Sequence, residues 1–561
     1  VLEARGSGDL EALSVHWAAA GEPACAARYA LEAAEHARAA LAFDRAARLY
    51  QRALDLGLPG GDEVERPVLV ELGHALVNAD RAVEGARAFR AAAARTSGDA
   101  ALELRRLAVE QLLHEERIDE GLTLLRGVLA DVGLTLPEDR RVSLASYLWH
   151  RTRVRLRGLE FQGGQASAAS PELLRRADAC WTAGTGLVFV DPLRAMDFQA
   201  RAVLYALESG DPRRIARTLA IYGLSMAALG GRGVARALEV TETVRRIAER
   251  TGDDHALALA GLAAGTALHY GGEWRKARPI CEDAERMLRT RVRGAGWELR
   301  FLQGTVLQIL MQLGDFAEVR ERIGRLELEA EIAEKRGNQH QAQYLKLPLA
   351  LVGCMMGKDV GELRAQIAAL PSSGFTRRWG VFNVQAQLEL YAGDARGAYD
   401  RVRAFWPTLR RSYLMHVQHV RIVASSLRAR AALALAAATP QGHPDRPALH
   451  READDAADRL AREGRPGAAA MANVMRGVAA AQRGDRPRAL ALLAAGEATA
   501  DGHGMALMAH GVRWARGRYL GGDDGQALCA SAEAWLLPRG LPDPARLAAL
   551  LASGLCDTHA R

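Results

Sequence analysis

Few groups of residues in this 561-residue chain combine the types and spacing that chemistry needs. The run Gly353-Cys354-Met355-Met356-Gly357-Lys358-Asp359 has the outline of a phosphate-binding loop. Such a loop needs four residues between its first glycine and a Gly-Lys-Ser/Thr end, so that backbone N–H groups cradle phosphate and a hydroxyl reaches magnesium. Here three residues intervene and an aspartate closes the run, placing negative charge where phosphate and metal belong. Gly223-Leu224-Ser225-Met226-Ala227 lacks the closing glycine of a nucleophile elbow and follows no strand pattern. His114-Glu115-Glu116 lacks the second histidine of a zinc-protease helix. His416 and His419 share a helix face, but two ligands fall short of a metal site. No His-Arg-Asp or Asp-Phe-Gly kinase motif occurs, since Asp315-Phe316 runs on to Ala317. The sequence thus assigns no catalytic residue, no metal site and no cofactor to this chain.

What remains suits recognition. In Asp191-Pro192-Leu193-Arg194-Ala195-Met196-Asp197-Phe198-Gln199-Ala200-Arg201, Asp191 is placed to cap a helix. Asp197 and Arg201 are four apart and pair on one helix face, worth about 0.2–0.5 kcal/mol. With Trp181 beside them, Asp197, Gln199 and Arg201 form a candidate ligand or partner site on a concave helical surface. Trp297 with Glu298 and Gln418 with Arg421 are further candidates of the same kind. Arg151, Arg153, Arg155 and Arg157 alternate at a spacing of two, which lines one side of a strand but splits across two faces of a helix. Such a run could hold phosphate or an acidic partner; the plainer reading is a solvated connector with Val154, Leu156 and Leu159 against the fold.

The elements that position these residues are helix pairs. The stretch from Gly265 to Ala284 shows the unit: a first helix ends at Gly271-Gly272, and a second starts near Glu273 with small residues at Ala277 and Ala284. The spacings Gly265–Gly272, Gly272–Ala277 and Ala277–Ala284 are seven, five and seven, as in tetratricopeptide-type repeats. Gly21 with Ala26, Gly314, Gly393 with Ala398, Gly484 with Ala489, and Gly522 with Ala527 repeat the pattern. Degenerate copies at Asp80-Arg81-Ala82 with Gly85 and Glu116-Arg117-Ile118 with Gly121 follow Ala46 at intervals of 39 and 36. The acidic residue after each turn glycine can cap the next helix. The expectation is an all-α fold, an α-solenoid of tetratricopeptide-like helix–turn–helix repeats. Its expected parts are residues 1–162, a linker at 163–171, residues 172–438, a second linker at 439–447, and residues 448–561.

Composition agrees. Hydrophobic residues make up 49% and aromatics 5%, with little β-branched alternation, so sheet is not expected. The net charge is +7, but the basic residues are nearly all arginine, with Lys276, Lys335, Lys346 and Lys358 the four lysines. Acids are interspersed throughout, so the charges read as solvated helix faces and argue against nucleic acid as the main partner. The cysteines Cys25, Cys180, Cys281, Cys354, Cys529 and Cys556 are scattered without a Cys-x-x-Cys pair, as for free thiols in a reducing cytoplasm. No run has the length and apolarity of a membrane span. The chain opens inside a helical pattern, as a fragment of a longer protein would.

Several stretches carry a resemblance: Leu41-Ala42-Phe43-Asp44-Arg45-Ala46-Ala47-Arg48-Leu49-Tyr50-Gln51-Arg52-Ala53-Leu54, Asp197-Phe198-Gln199-Ala200-Arg201, Gly296-Trp297-Glu298-Leu299, Val417-Gln418-His419-Val420-Arg421-Ile422 and Gly540-Leu541-Pro542-Asp543-Pro544-Ala545-Arg546. With them the chain resembles the C-terminal helical-repeat region of large serine/threonine protein kinases of myxobacteria and related bacteria. In those proteins a kinase domain and an AAA-type signal-transduction ATPase precede the repeats. The resemblance implies a regulatory arm that senses a ligand or protein partner on its concave face and controls the upstream domains, which would carry all ATP and magnesium chemistry. The alternatives are an arm of a nucleic-acid-associated regulator and a free-standing interaction scaffold.

Overall fold

The computed structural model describes residues 9–160, 170–188, 190–335, 339–370 and 374–555, with 339–345 described by backbone alone. Most of the proposed linker at 163–171 lies outside them. The described residues form 27 α-helices and no strand, and successive helices pack on one another. This is the expected all-α helical-repeat architecture. Two compact units are present: Val1–Thr218 with Leu288–Leu299, and Leu219–Met287 with Arg300–Arg561.

One turn recurs in both units. Glu273 N–H donates to the carbonyl of Leu268, five residues back (2.9 Å), while Gly272 sits at φ 79° in the left-handed region. This is a Schellman closure, and the N–H that completes it belongs to the residue that starts the next helix. Glu22, Ala42, Arg81, Arg117, Asp315, Asp394 and Asp485 donate in the same way, all at 2.8–3.0 Å. The residue before each has φ between 53° and 83°. At Leu41, Asp80 and Glu116 that residue is not glycine, which explains why these copies look degenerate in sequence.

Four residues into each second helix comes the crossing position, whose N–H makes the helix's first i→i−4 bond. Ala26, Ala46, Ala277, Ala398 and Ala489 occupy it, all fully buried. Ala284 is buried one repeat of the helix face later. Gly265 faces this contact from the preceding helix; a Cβ there would lie 2.3 Å from the Cys281 sulfur. Asp394 and Asp485 cap their helices by accepting from Gly397 N (2.9 Å) and Arg488 N (3.2 Å). Glu22 makes no such cap, its carboxylate being one methylene further from the backbone.

At the last pair the register differs. Gly521 ends one helix and begins the next, Gly522–Leu536. The turn is shorter, so the crossing residue is Gly525, with a virtual Cβ 2.4 Å from the Gly517 carbonyl oxygen. Ala527, expected there, is exposed. Within the second unit, non-adjacent pairs also meet. A Cβ on Gly314 would enter the Trp535 ring, Arg430 donates to Leu550 O (2.9 Å), and Gln482 donates to Leu433 O (2.9 Å) and Gly554 O (3.1 Å). Serial stacking in this unit therefore curls until distant repeats touch.

Ala277→Leu should destabilise the second unit by about 1–3 kcal/mol through overpacking, whereas Ala527→Leu should stay within about 0.5 kcal/mol; denaturant midpoints that do not separate the two would contradict the crossing assignment. Leu41 is exposed, so Leu41→Gly removes left-handed strain without losing packing. It should stabilise the first unit by about 0.5–1 kcal/mol, the balance of strain relieved and glycine entropy, and a lowered midpoint would count against the turn.

Candidate functional site

Asp197 lies on helix Pro192–Ser209 and is 1% exposed. Its carboxylate accepts from Ser146 Oγ (2.8 Å) and Arg201 Nη2 (2.7 Å), and it pairs with His150 Nδ1 (2.9 Å). Arg201 also donates to Ser146 Oγ (2.7 Å) and stacks over Phe198. A serine, a histidine and an aspartate thus meet, but not as a proton relay. A relay needs the hydroxyl on one imidazole nitrogen and the carboxylate on the other; here both approach Nδ1, Ser146 Oγ at 3.3 Å. The group ties helix Arg140–Arg157 to its neighbour.

Gln199 donates to the Gly184 carbonyl (2.9 Å) at a close helix crossing. Trp181 is buried beneath the Arg217 guanidinium, 5.1 Å from the ring centre. Beside it Arg106 bonds Glu103 (2.7 Å), Glu110 and Thr182 (2.8 Å), and Asp178 holds Arg214 (2.7 Å) and Arg217. Three arginines meet three carboxylates, so this network neutralises itself. Trp297 packs on His114, centroids 5.4 Å apart, and Glu298 is buried. The first-unit candidates are therefore engaged inside the protein.

In the second unit Gln418 is buried, donating to Glu463 O (2.9 Å) and accepting from Arg465 Nε (2.8 Å). Its side chain packs against Gly230, in the glycine-rich turn before helix Arg232–Thr251. Arg421 grips Glu463 through two bonds of 2.7 and 2.8 Å, a bidentate pair. His419 stacks on Tyr270 and faces His269, centroids 6.0 Å apart. His416 instead stacks on Tyr413, so the two histidines three apart serve different contacts. Burial pushes His269 down to about 3 and His419 to about 4 from the ordinary 6.5, with the nearby His419 a second, smaller cause at His269. Among the described residues no cluster of three or more His, Cys, Asp or Glu could hold a metal ion, and no helix is long and apolar enough to cross a membrane.

An open site lies elsewhere in the first unit. A cavity of about 410 Å³ opens among helices Leu10–Ala19, Phe43–Asp55, Asp62–Asn78 and Ala82–Ala93. Leu49, Leu72 and Leu76 supply its apolar lining, and Glu11, Arg48, Arg52, Asp55, Arg81 and Glu84 its charges. Most of these are already engaged: Arg81 bonds Glu84 (2.7 Å), Glu11 holds Arg45 (2.7 Å), and Asp55 accepts from Gln51 (2.8 Å). Arg52 makes no ion pair among the described residues, and its buried Nε has no hydrogen-bond partner. A planar cation in that state suits a carboxylate or phosphate group.

No protein-family model matches the chain, and no curated protein matches it.

Sequence reasoning missed Arg48, Arg52, Arg81 and Glu84. The signal was there in part: Arg48 and Arg52 are four apart on a helix whose inward stripe is Ala46, Leu49, Tyr50 and Ala53, so both arginines ride beside that stripe.

Because the folded chain keeps His269 and His419 neutral, the unfolded chain alone takes up protons below about pH 6.5. Stability should therefore fall as pH drops from about 6.5 towards 4, by up to about 1.4 kcal/mol per pH unit for each group. Thermal melts of the His269→Gln/His419→Gln variant should show a flatter slope in that window; an unchanged slope would locate the acid sensitivity at other residues.

Proposed function

We propose that this chain is a non-catalytic recognition arm. It takes a carboxylate-bearing segment of a protein partner, or a small acidic effector, in the cavity around Arg52. The observation that carries the reading is the unpartnered Arg52 Nε among otherwise paired charges. The cavity volume falls within the usual range of ligand sites, roughly 300–1,000 Å³. Its charged lining suits a polar group better than an apolar drug-like one. Stacked helix pairs offer extended surfaces for partners, which supports the same reading.

The stretches that resemble the repeat region of bacterial serine/threonine kinases add the rest of the proposal: occupancy of the arm controls an attached ATPase and kinase, in the cytoplasm. ATP and magnesium belong to those domains. Kinase and ATPase output of the intact gene product should change about fivefold or more on Arg52→Glu, while Arg52→Lys changes it less and both variants keep the parent melting curve. Identical output from all three proteins would contradict the reading.

A further inference from the structure

We propose that the outward face of helix Arg140–Arg157 docks an acidic amphipathic helix of a protein partner. The proposal deepens the recognition reading above, and rests on it, by naming a second face and the chemistry of what it binds.

The helix buries one side through Ser143, Tyr147 and Val154. Its opposite side is also apolar. Val142, Leu144, Leu148, Trp149 and Leu156 are 56%, 43%, 49%, 63% and 82% exposed. These are five of the eleven exposed large apolar residues among the described ones, gathered on a single helix. A helix that is apolar on two opposite faces is ordinarily covered on both.

The spacing says what kind of cover fits. Val142, Trp149 and Leu156 recur every seven residues, and exposed Ala145 and Thr152 fall three after the first two. These are the a and d positions of a heptad, the pattern that seats one helix along another. Arg141, Leu148 and Arg155 then occupy the g positions and Arg153 an e position, flanking the seam as the residues that choose a partner by charge. A lipid surface fits less well, because an interfacial helix keeps its basic residues away from the middle of its apolar face, and here Arg141 and Arg155 interrupt it.

Charge commits the partner. The helix holds six arginines, Arg140, Arg141, Arg151, Arg153, Arg155 and Arg157, and no acidic residue. None of the six makes an ion pair among the described residues. Arg151 lies over Tyr147, and Arg157 donates to the carbonyls of Gly158, Glu160 and Leu207. The acids near it are placed away from the outward face: Asp139 caps the start, beside Glu138, Glu160 follows the end, and Asp197 is buried on the inner side, paired with His150 and Arg201. Self-pairing of this face would set arginine against arginine. Glutamates at the partner's flanking positions would meet Arg141, Arg153 and Arg155.

The test uses the full chain and a three-heptad peptide with leucine at a and d and glutamate at e and g, titrated by fluorescence anisotropy. The glutamate peptide should bind about tenfold or more tightly than its lysine counterpart, the sum of several flanking pairs. Trp149→Ala/Leu156→Ser should abolish that binding. Arg141→Glu/Arg153→Glu/Arg155→Glu should reverse the preference and bind the lysine peptide, which a misfolded variant could not do. Equal binding of the two peptides would overturn the proposal. So would dimerisation through Trp149, or stronger binding to phosphatidylserine vesicles or a short DNA duplex than to the glutamate peptide. Arg52 lies on other helices, so failure here with an intact Arg52 response would sink this proposal and leave the recognition reading standing.

Discussion

Many of the helix pairs among the described residues depend on one way of closing the turn between them. The backbone must enter the left-handed region at one residue, and the next N–H must reach back five residues while starting a new helix. That single hydrogen bond sets the direction of the second helix, and the residue four positions on, alanine or glycine at most of these turns and Val319 after Asp315, sets how close it can come. Where the turn loses one residue, at Gly521, the crossing moves with it to Gly525. The rule is thus one of backbone geometry. Residue identity follows from it, since glycine enters that region without the strain of about 1–2 kcal/mol that a side chain brings.

Charge is handled in two ways. Inside the helix stack, several arginines are matched by carboxylates, as in the Arg106–Asp178 network and the Arg421–Glu463 pair, while Arg430 is held by backbone carbonyls. Removing one member of such a set would strand the other in a poor solvent for ions. At Arg52 and along Arg140–Arg157 the matching stops. Unmatched guanidinium groups beside apolar surface are why acidic partners are proposed for both places.

Much of the repeat pattern was legible in sequence because glycine and alanine report directly on turn and crossing. Asp80 and Glu116 were legible as degenerate copies through Gly85 and Gly121, but Leu41 was opaque, since nothing local tells that a leucine is held in the left-handed region by its neighbours. The site was less legible than the fold. Asp197 and Arg201 advertise a pair, but His150 and Ser146 come from a helix about 50 residues earlier, and that contact turns a candidate surface group into a buried tie. The helix Arg140–Arg157 posed the opposite problem: its alternating arginines drew notice, while the seven-residue spacing of Val142, Trp149 and Leu156 gained meaning once exposure showed which side they occupy. The curling of the second unit, with Gly314 against Trp535, joins residues too far apart for any local pattern to link.

The account stands most directly on the turn hydrogen bond, and residue-level amide hydrogen exchange reads it. The N–H groups of Glu22, Ala42, Arg81, Arg117, Glu273, Asp315, Asp394 and Asp485 should exchange as slowly as the interior amides of the helices they follow. Exchange of these eight at the rate of open loops would contradict it.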